Sequence, residues 1–217
     1  MRITKFVHSC LLIEESGRKI LIDPGNYSEG VLDINSIDSL DYLLITHEHQ
    51  DHMSLPLIKQ LLAKFPDVKV ISNQSVAEIL GKEGISVTRP RRSDAQDLRG
   101  LDDKFIQMEE VPHEKIFMGP SPANTLFKVA GKLTHPGDSH HFTSTTQILA
   151  LPVQASWGST TDAVNLAVKL KPKVIIPIHD WHWSDEAGKV MYQRLTEYFE
   201  KVGIKFIGLQ TGLPCSV

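Results

Sequence analysis

Cysteine and long apolar runs are both scarce in this chain of 217 residues. The two cysteines, Cys10 and Cys215, exclude a disulfide framework and a CxxC metal site, and they favour a reducing compartment. No run of about 18 apolar residues occurs, and the N-terminus lacks the apolar core of a signal peptide. The net charge of −3 gives no basic excess for binding nucleic acid. We therefore expect a cytoplasmic protein with no membrane span and no nucleic-acid partner.

Length and composition favour one globular domain over residues 1–217. Hydrophobic residues make up 41% of the chain and charged residues 23%, which is usual for soluble globular proteins. A chain of this length buries roughly 70% of the surface that it exposes when unfolded, so its core needs no disulfide. No repeat or linker divides the sequence, and we predict a single domain.

Hydrophobic patterning predicts a β-rich segment followed by a βα segment, twice along the chain. Apolar residues spaced i, i+3, i+4, i+7 from Ile58 predict a helix that stops at Pro66. Ser75 and Glu78 predict the capping box of a second helix. Residues 89–104 are polar and predict a solvated connection. The predicted strands include residues 3–6, 10–14, 19–23, 42–46, 68–72, 132–135, 148–152, 174–178 and 205–209. Two sheets with helices on their outer faces satisfy this order, which predicts an α/β fold.

The strongest chemical signal is the motif His47-Glu-His49-Gln-Asp51-His52, which lies between a predicted buried strand and a helix. In an extended turn His47 and His49 point the same way, while Asp51 and His52 enter the helix and can face a second ion. Imidazole and carboxylate ligands together suit zinc, and less tightly manganese or iron. The motif therefore predicts a metal site.

Three further candidate ligands follow predicted strands elsewhere in the chain. His113 follows a short β segment, Asp138 lies in the sequence Pro-Gly-Asp-Ser, and His179 ends the apolar run at residues 174–178. All ligands of one site must converge at the same edge of the sheets. These positions satisfy that requirement and predict a site with two ions.

The order of these motifs resembles the metallo-β-lactamase superfamily. The resemblance rests on HxHxDH after a strand, a later His, a Gly-Asp pair and a His after a Pro-containing strand. The segments HSCLLIE at 8–14, KILIDPG at 19–25, LPV at 151–153 and KVIIPIH at 173–179 are similar to its ascorbate-6-phosphate-lactonase-like branch. The resemblance covers residues 1–180 and implies a four-layer αββα sandwich.

The resemblance also implies a role for each candidate residue. It implies that the first ion is held by His47, His49 and His113. It implies that the second ion is held by Asp51, His52 and His179, and that Asp138 bridges both ions. Asp23 would orient the ligands around the site. The expected catalytic residues are Asp51, His52 and Asp138.

A dinuclear site of this kind implies hydrolysis. Two divalent ions about 3.5–4 Å apart activate a bridging water at neutral pH and polarise the oxygen under attack. We predict a hydrolase for a small-molecule ester, lactone or phosphate ester, with zinc as the expected metal and manganese or iron as alternatives. Two other functions stay open, namely a phosphodiesterase of the phospholipase-D-like type and a metal-bound module without turnover.

Several imidazole and indole side chains near these motifs have two interpretations each. His8 is either a pocket residue or a buried histidine bonded to backbone. His140 and His141 are either substrate contacts or solvated loop residues, and His182 is a rim residue or a ligand in place of His179. The residues that either wall an active-site mouth or pack in the core are Trp157, Trp181 and Trp183.

Overall fold

The computed structural model of the protein describes residues 1–89, 105–116 and 119–217 and contains two six-stranded β-sheets. The first sheet has the order β12-β1-β2-β3-β4-β5 and contains β1 (Arg2–Lys5), β2 (Leu11–Glu15), β3 (Arg18–Ile22), β4 (Tyr42–Leu44), β5 (Lys69–Ile71) and β12 (Pro214–Ser216). The second has the order β11-β10-β9-β8-β7-β6 and contains β6 (Ile106–Pro112), β7 (Ala123–Val129), β8 (Leu133–His135), β9 (Ile148–Pro152), β10 (Val174–Ile178) and β11 (Lys205–Phe206). The helices are α1 (Leu55–Lys64), α2 (Gln74–Lys82), α3 (Thr160–Leu170) and α4 (Asp185–Lys201).

Both faces of the central strands are buried, because successive side chains enter different cores. Ile13 and Ala150 lie in the core between the sheets. Their neighbours Leu12 and Leu149 lie in the two outer cores, which also take up buried residues of the helices. Period-two alternation between two apolar layers explains why these strands read as continuous hydrophobic runs. The predicted αββα arrangement of two sheets covered by helices is confirmed.

Local capping decides where the helices begin, and here one prediction is wrong. Helix α2 is capped by Asn73, whose side chain accepts a hydrogen bond from the N–H of Val76 at 3.2 Å. Ser75 lies inside the helix and donates to Asn73 Oδ1. Asn73 prevails over the predicted Ser75–Glu78 box because its amide also donates to the carbonyl oxygens of Thr46 and Ala123, which fixes it between the two sheets.

The other predicted elements are found with ends shifted by one or two residues, apart from the C-terminal strands. The closing strand predicted at 205–209 is only Lys205–Phe206, and an unpredicted strand, Pro214–Ser216, pairs with β1. Of the predicted polar connection at 89–104, all but the first residue lies outside the described residues. No helix in the described parts of the chain is long and apolar enough to cross a membrane.

Parallel pairing sets the location of the candidate site. Strands β3, β4 and β5 run parallel in the first sheet, and β8, β9, β10 and β11 run parallel in the second. Carboxyl ends of parallel strands lie at one edge of a sheet, where loops meet. The segments that follow β3, β4, β8 and β10 carry Asp23, His47, Asp138 and His179, and these come together between the sheets.

Candidate metal centre

The predicted ligands converge in two clusters at this edge. Within each cluster the candidate ligand atoms all lie within 4.8 Å of one another. The first cluster consists of His47, His49, His113 and Asp138, and the second of His8, Asp51, His52 and His179. The structure thus brings together all seven predicted ligands and adds His8 to them.

One carboxylate, that of Asp138, faces both clusters. Its Oδ2 lies 3.4 Å from Nε2 of His113 and 3.7 Å from Nε2 of His47 in the first cluster. Its Oδ1 lies 2.7 Å from Nε2 of His179 and 3.0 Å from Nε2 of His52 in the second. Asp138 thus lies between the two clusters, which is compatible with the bridging role that the family resemblance implies for it.

Most of the histidines are held through one ring nitrogen, which leaves the other nitrogen facing the clusters. Nδ1 lies within hydrogen-bond distance of a protein oxygen in four cases, His47 to Thr46 Oγ1 (3.0 Å), His52 to Asp23 Oδ2 (2.7 Å), His113 to Glu114 O (2.6 Å) and His179 to Gln154 O (3.2 Å). An Nδ1–H that donates to such an oxygen fixes the ring and leaves an Nε2 lone pair for a cation.

Asp23 and Thr46 form the support behind these rings. Asp23 Oδ1 accepts from the backbone N–H of Thr46 at 2.7 Å, and Oδ2 accepts from the Thr46 hydroxyl at 2.8 Å and from Nδ1 of His52. Because its proton goes to Asp23, the Thr46 hydroxyl oxygen can accept from Nδ1 of His47. Asp23 therefore acts on both clusters, directly and through Thr46. Thr46 was not predicted, although its place next to the motif could have suggested it.

Buried polar atoms without partners test whether these residues fit a metal. His113 Nε2 and Asp138 Oδ1 are buried and make no hydrogen bond. Asp138 Oδ1 approaches Nε2 of His179 and of His52 closely, but without hydrogen-bond alignment. Leaving such a group unsatisfied costs about 1–3 kcal/mol. A cation between these lone pairs removes the cost, so the nitrogen and oxygen donors fit a divalent ion such as zinc.

Charge and burial put His47 and Asp138, but not His52, in the forms that bind cations. Burial, together with the charge of His52, holds the pKa of His47 well below its usual value. Burial raises the pKa of Asp138, but the charges of His179 and His52 outweigh it and hold that pKa well below the usual range. Burial lowers the pKa of His52, but Asp138 and Asp23 outweigh it and hold that pKa well above its usual value. A neutral His47 and an ionised Asp138 are the forms that accept a metal, whereas His52 would have to lose a proton to the solvent before it could bind one.

His8 lies inside the second cluster. Its Nε2 is 3.1 Å from Asp51 Oδ2, and its ring centroid is 3.7 Å from that of His179. Burial, reinforced by His179, lowers the pKa of His8 to about 4. Its other ring nitrogen, Nδ1, has no hydrogen-bond partner. The ring is buried, as one interpretation expects, but it contacts the side chains of Asp51 and His179 and is not bonded to backbone.

Four histidines lie outside both clusters, and one of them, His135, is buried with its Nε2 3.0 Å from the carbonyl oxygen of Ser9. The other three were candidates from the sequence. His140 Nε2 is 3.0 Å from the carbonyl oxygen of the last residue of β9, so its ring is held by backbone. His141 Nε2 pairs with Glu114 Oε2 at 3.1 Å, and its side chain is 63% exposed. His182 is exposed and its ring centroid lies 6.0 Å from that of His8, at the rim.

The three tryptophans lie in different surroundings. The indole N–H of Trp157 donates to Asp138 Oδ2 at 3.0 Å. Trp181 stacks on Tyr27 with ring centroids 3.9 Å apart and remains 49% exposed. Trp183 packs against the outer core of the second sheet. Only the first of these touches a predicted ligand.

The backbone around the clusters adopts conformations that most residues avoid. His8, Asp23 and His179 have φ values of 62°, 48° and 64°, in the left-handed region that is unfavourable for side chains with a Cβ. A Cβ on Gly25 would lie 1.8 Å from the carbonyl oxygen of Asp51, so only glycine fits there. The loops that carry the candidate ligands are therefore held by close contacts at some cost in strain.

A buried ion pair fixes the segment that follows His179. Lys5 Nζ and the Tyr192 hydroxyl both donate to Asp180 Oδ2, and the Lys5 side chain is 4% exposed. These contacts connect β1, the end of β10 and α4. They were not predicted, because the partners lie far apart in the sequence and show no pattern.

Comparisons with known proteins agree with this fold. Residues 2–179 match the family model described as a beta-lactamase superfamily domain. Protein Rv0786c of Mycobacterium tuberculosis is 30% identical over 204 residues, 91% of this chain and 92% of that protein. A UPF0173 metal-dependent hydrolase of a Geobacillus species is 29% identical over 196 residues, 82% of this chain and 85% of that protein.

Among solved structures, Igni18, a metallo hydrolase of Ignicoccus hospitalis, superposes with a TM-score of 0.73. It is 19% identical, and the match covers 99% of this chain and 97% of that one, so the likeness shows a common fold. None of the three relatives is named as an ascorbate-6-phosphate lactonase, and that branch stays a prediction.

Proposed function

The chain belongs to the metallo-β-lactamase superfamily, and on that premise we propose that it is a dinuclear metal-dependent hydrolase of a small-molecule ester, lactone or phosphate ester. One observation carries the proposal: the carboxylate of Asp138 is buried between two clusters, with one oxygen directed at each. The name of the Geobacillus relative, a metal-dependent hydrolase, supports it.

The composition of the clusters determines which metal they would take. When bound, two divalent ions lower the pKa of a water molecule and polarise the oxygen of the group under attack. Imidazole nitrogens and carboxylate oxygens suit zinc, with manganese and iron as alternatives. Neither cluster contains a thiol ligand, since neither Cys10 nor Cys215 belongs to one of them.

The chain itself holds the ligands, limits their motion and balances charge. The negative charge of Asp138, which faces both clusters, would offset the repulsion between two bound cations. Asp51 adds a second carboxylate, which His8 holds at 3.1 Å. The histidine rings cannot turn away, because Asp23 and neighbouring backbone oxygens hold their Nδ1 atoms. Such prior orientation is what catalysis requires of a metal site.

The side chains at the rim of the second cluster favour a small substrate that has both polar and apolar parts. Trp181 offers a half-exposed ring stacked on Tyr27, and the exposed His182 lies beside both. A substrate anchored by its reacting group at the clusters could place an apolar part on this wall. Lactones and esters with such a part are therefore the first substrates to test, with phosphodiesters as the alternative class.

Metal analysis followed by a substrate screen tests the proposal. Protein purified without added metal should contain close to two divalent ions per chain. A chelator should abolish hydrolysis of a lactone, ester or phosphate ester, and divalent metal should restore it. His141→Ala, a change at the exposed neighbour of the site, serves as a control that keeps both ions. Full activity in metal-free protein would overturn the mechanism, and two ions without any turnover would favour the non-catalytic module.

A further inference from the structure

We infer that Trp157 is a positioning residue that holds the shared carboxylate of Asp138, with Oδ2 turned to the first cluster and Oδ1 to the second. The inference rests on the proposed function, since it requires Asp138 to bind metal. Its basis is the hydrogen bond of 3.0 Å from the indole N–H to Asp138 Oδ2, a contact that the ligand set does not require.

The backbone of Asp138 is fixed, but its carboxylate needs a separate constraint. The Asp138 N–H donates to Asn124 Oδ1 at 3.2 Å, and its carbonyl oxygen accepts from the N–H of Glu114 at 2.8 Å. These bonds leave the carboxylate free to turn, because the last torsion of aspartate is broad. A donor that grips one of the two oxygens removes that freedom.

Trp157 is the donor that can act while metal is bound. The close imidazole groups of His47, His113 and His179 present Nε2 to Asp138, and an Nε2 bound to a cation has no proton to donate. The indole N–H can only donate and never competes for the ion. It occupies one lone pair of Oδ2 and leaves the other for the first cluster.

The indole itself is held in place. Ala155 and Gly158 exchange backbone hydrogen bonds of 3.2 and 3.4 Å on either side of it. The ring of His140 packs edge-on against it, with centroids 5.4 Å apart, and the His140 ring is in turn bonded to the backbone at the end of β9. A donor fixed in this way orients its acceptor without a further loss of entropy.

Loss of this bond should affect the two clusters unequally. Among the described residues, Asp138 is the only carboxylate of the first cluster, whereas the second cluster also contains Asp51. A carboxylate that turns therefore removes the first cluster's only negative ligand. Because supporting hydrogen bonds are worth roughly 10- to 100-fold in metal affinity, the first ion should weaken by that factor, and the second by less than about threefold.

Zinc titration of Trp157→Phe tests the inference, because phenylalanine keeps a ring and removes the N–H. Chelator competition and calorimetry give one dissociation constant for each ion. Trp181→Phe is the matched control: it changes a tryptophan next to the second cluster that does not contact Asp138. We expect only Trp157→Phe to bind one of two zinc ions roughly 10- to 100-fold more weakly, with an unchanged melting temperature after zinc removal.

A second measurement covers the case in which Trp157→Phe does not fold. The chain has three tryptophans, so Trp181→Phe combined with Trp183→Phe leaves Trp157 as the only one. Its fluorescence should change on binding of the weaker zinc ion, which we assign to the first cluster. Fluorescence that does not respond to either ion would overturn the inference.

The remaining outcomes separate this inference from the proposed function. Two zinc ions bound equally well by wild type and Trp157→Phe would overturn the inference alone. Equal weakening of both ions together with a lower melting temperature would show a merely structural role and would also overturn it. A wild-type chain that binds no zinc, manganese or iron would overturn both proposals.

Discussion

The two clusters have the same burial, with one half-buried and three buried residues each, but they differ in charge. The first has three imidazoles and only Asp138 as a negative group, and its His49 is half-buried. The second adds Asp51, and the carboxylate of Asp23 stands directly behind His52. More negative charge around a buried cation means tighter binding, because the attraction offsets more of the free energy lost when the cation leaves water. The second cluster should therefore hold its ion more strongly, and the first should exchange its ion more readily.

The clusters also differ in how the chain builds them. Each cluster takes two residues from the loop at 47–52, and the first cluster adds His113 and Asp138, which both follow strands of the second sheet. The second cluster takes His8 and His179 from opposite sheets, both with positive φ and joined by a hydrogen bond of 3.3 Å from His179 N to His8 O. The cluster that we expect to bind its ion more tightly is thus the one whose backbone is more strained.

Removal of the shared carboxylate should have the largest effect, because it affects both clusters. Asp138→Asn keeps the shape and removes the charge, so we expect the loss of at least one ion per chain. The several kcal/mol that a metal ion supplies correspond to roughly a 10³-fold fall in kcat/KM. Metal content and steady-state kinetics measure both, with His141→Ala as the control. Unchanged metal content in Asp138→Asn would show that the clusters do not share a ligand.

His179→Ala and His182→Ala distinguish a ligand from a rim residue. His179 follows a rigid buried strand and its Nε2 is 3.1 Å from Nε2 of His52, so its loss should cost the second ion and most of kcat. His182 is exposed, and its loss should keep both ions and raise mainly KM. Metal analysis of the two variants is the measurement, and the reverse result would move the ligand from 179 to 182.

Asp23→Asn should weaken the second ion more than the first. The substitution replaces the acceptor of His52 directly, but reaches His47 only through the Thr46 hydroxyl. Supporting carboxylates contribute roughly 10- to 100-fold to metal affinity, and we expect that loss at the second cluster. Zinc calorimetry checks it, with Asp38→Asn at an exposed carboxylate as the control. Equal weakening of both ions would mean that the Thr46 relay matters as much as the direct contact.

Acid should destabilise the chelator-treated protein through its buried histidines. Burial lowers the pKa of four histidines, namely His8, His47, His49 and His135. Near and below pH 6.5 the unfolded chain therefore binds more protons than the folded chain, and the free energy of unfolding decreases as the pH decreases. His52 has a raised pKa, so its contribution is complete below pH 6.5, is lost as pH rises through the raised value, and opposes the others. Because the contribution of His52 changes only above about pH 6.5, the four groups with lowered pKa values decide the range below it, and we expect a net loss of stability from pH 7 to pH 5.

The magnitude can be tested at a single residue. For His8 the fall in pKa from 6.5 to about 4 corresponds to about 2 kcal/mol lost between pH 7 and pH 5. Urea unfolding of wild type and His8→Gln at these two pH values should show a pH dependence that is smaller by that amount in the variant. Wild-type stability that stays constant or rises toward pH 5 would contradict the assignment of neutral buried histidines.

The sequence was most informative where the signal is local. The motif at residues 47–52 and the apolar strands before Asp138 and His179 carry their pattern within a few residues, so the fold and six of the seven converging side chains could be predicted from local signals. The seventh, His113, was placed only by its order along the chain in the family resemblance. Contacts between distant residues could not. The bond from Trp157 to Asp138 spans 19 positions and the Lys5–Asp180 pair 175, and neither leaves any periodicity in the sequence.

One wrongly predicted helix cap and one strand that was not predicted show the same limit on a smaller scale. Ser75 fits the rule for a cap, but Asn73 is the cap because it also bonds to carbonyl oxygens of both sheets. The strand Pro214–Ser216 is short and has no alternation, and it exists because β1 offers it an edge. In both cases the neighbouring sheet decides the outcome, and local propensity does not.

The second cluster joins parts of the chain that are far apart, which links metal supply to the lifetime of the fold. His52 and His179 are 127 residues apart in sequence, yet their Nε2 atoms are neighbours between the two sheets. The unfolded chain cannot present them together, so an ion held there binds the folded chain alone. Each tenfold rise in free metal above the dissociation constant then adds about 1.4 kcal/mol per ion to the free energy of unfolding. A shortage of metal would therefore shorten the lifetime of the folded protein and, on the proposed function, also stop its hydrolytic activity.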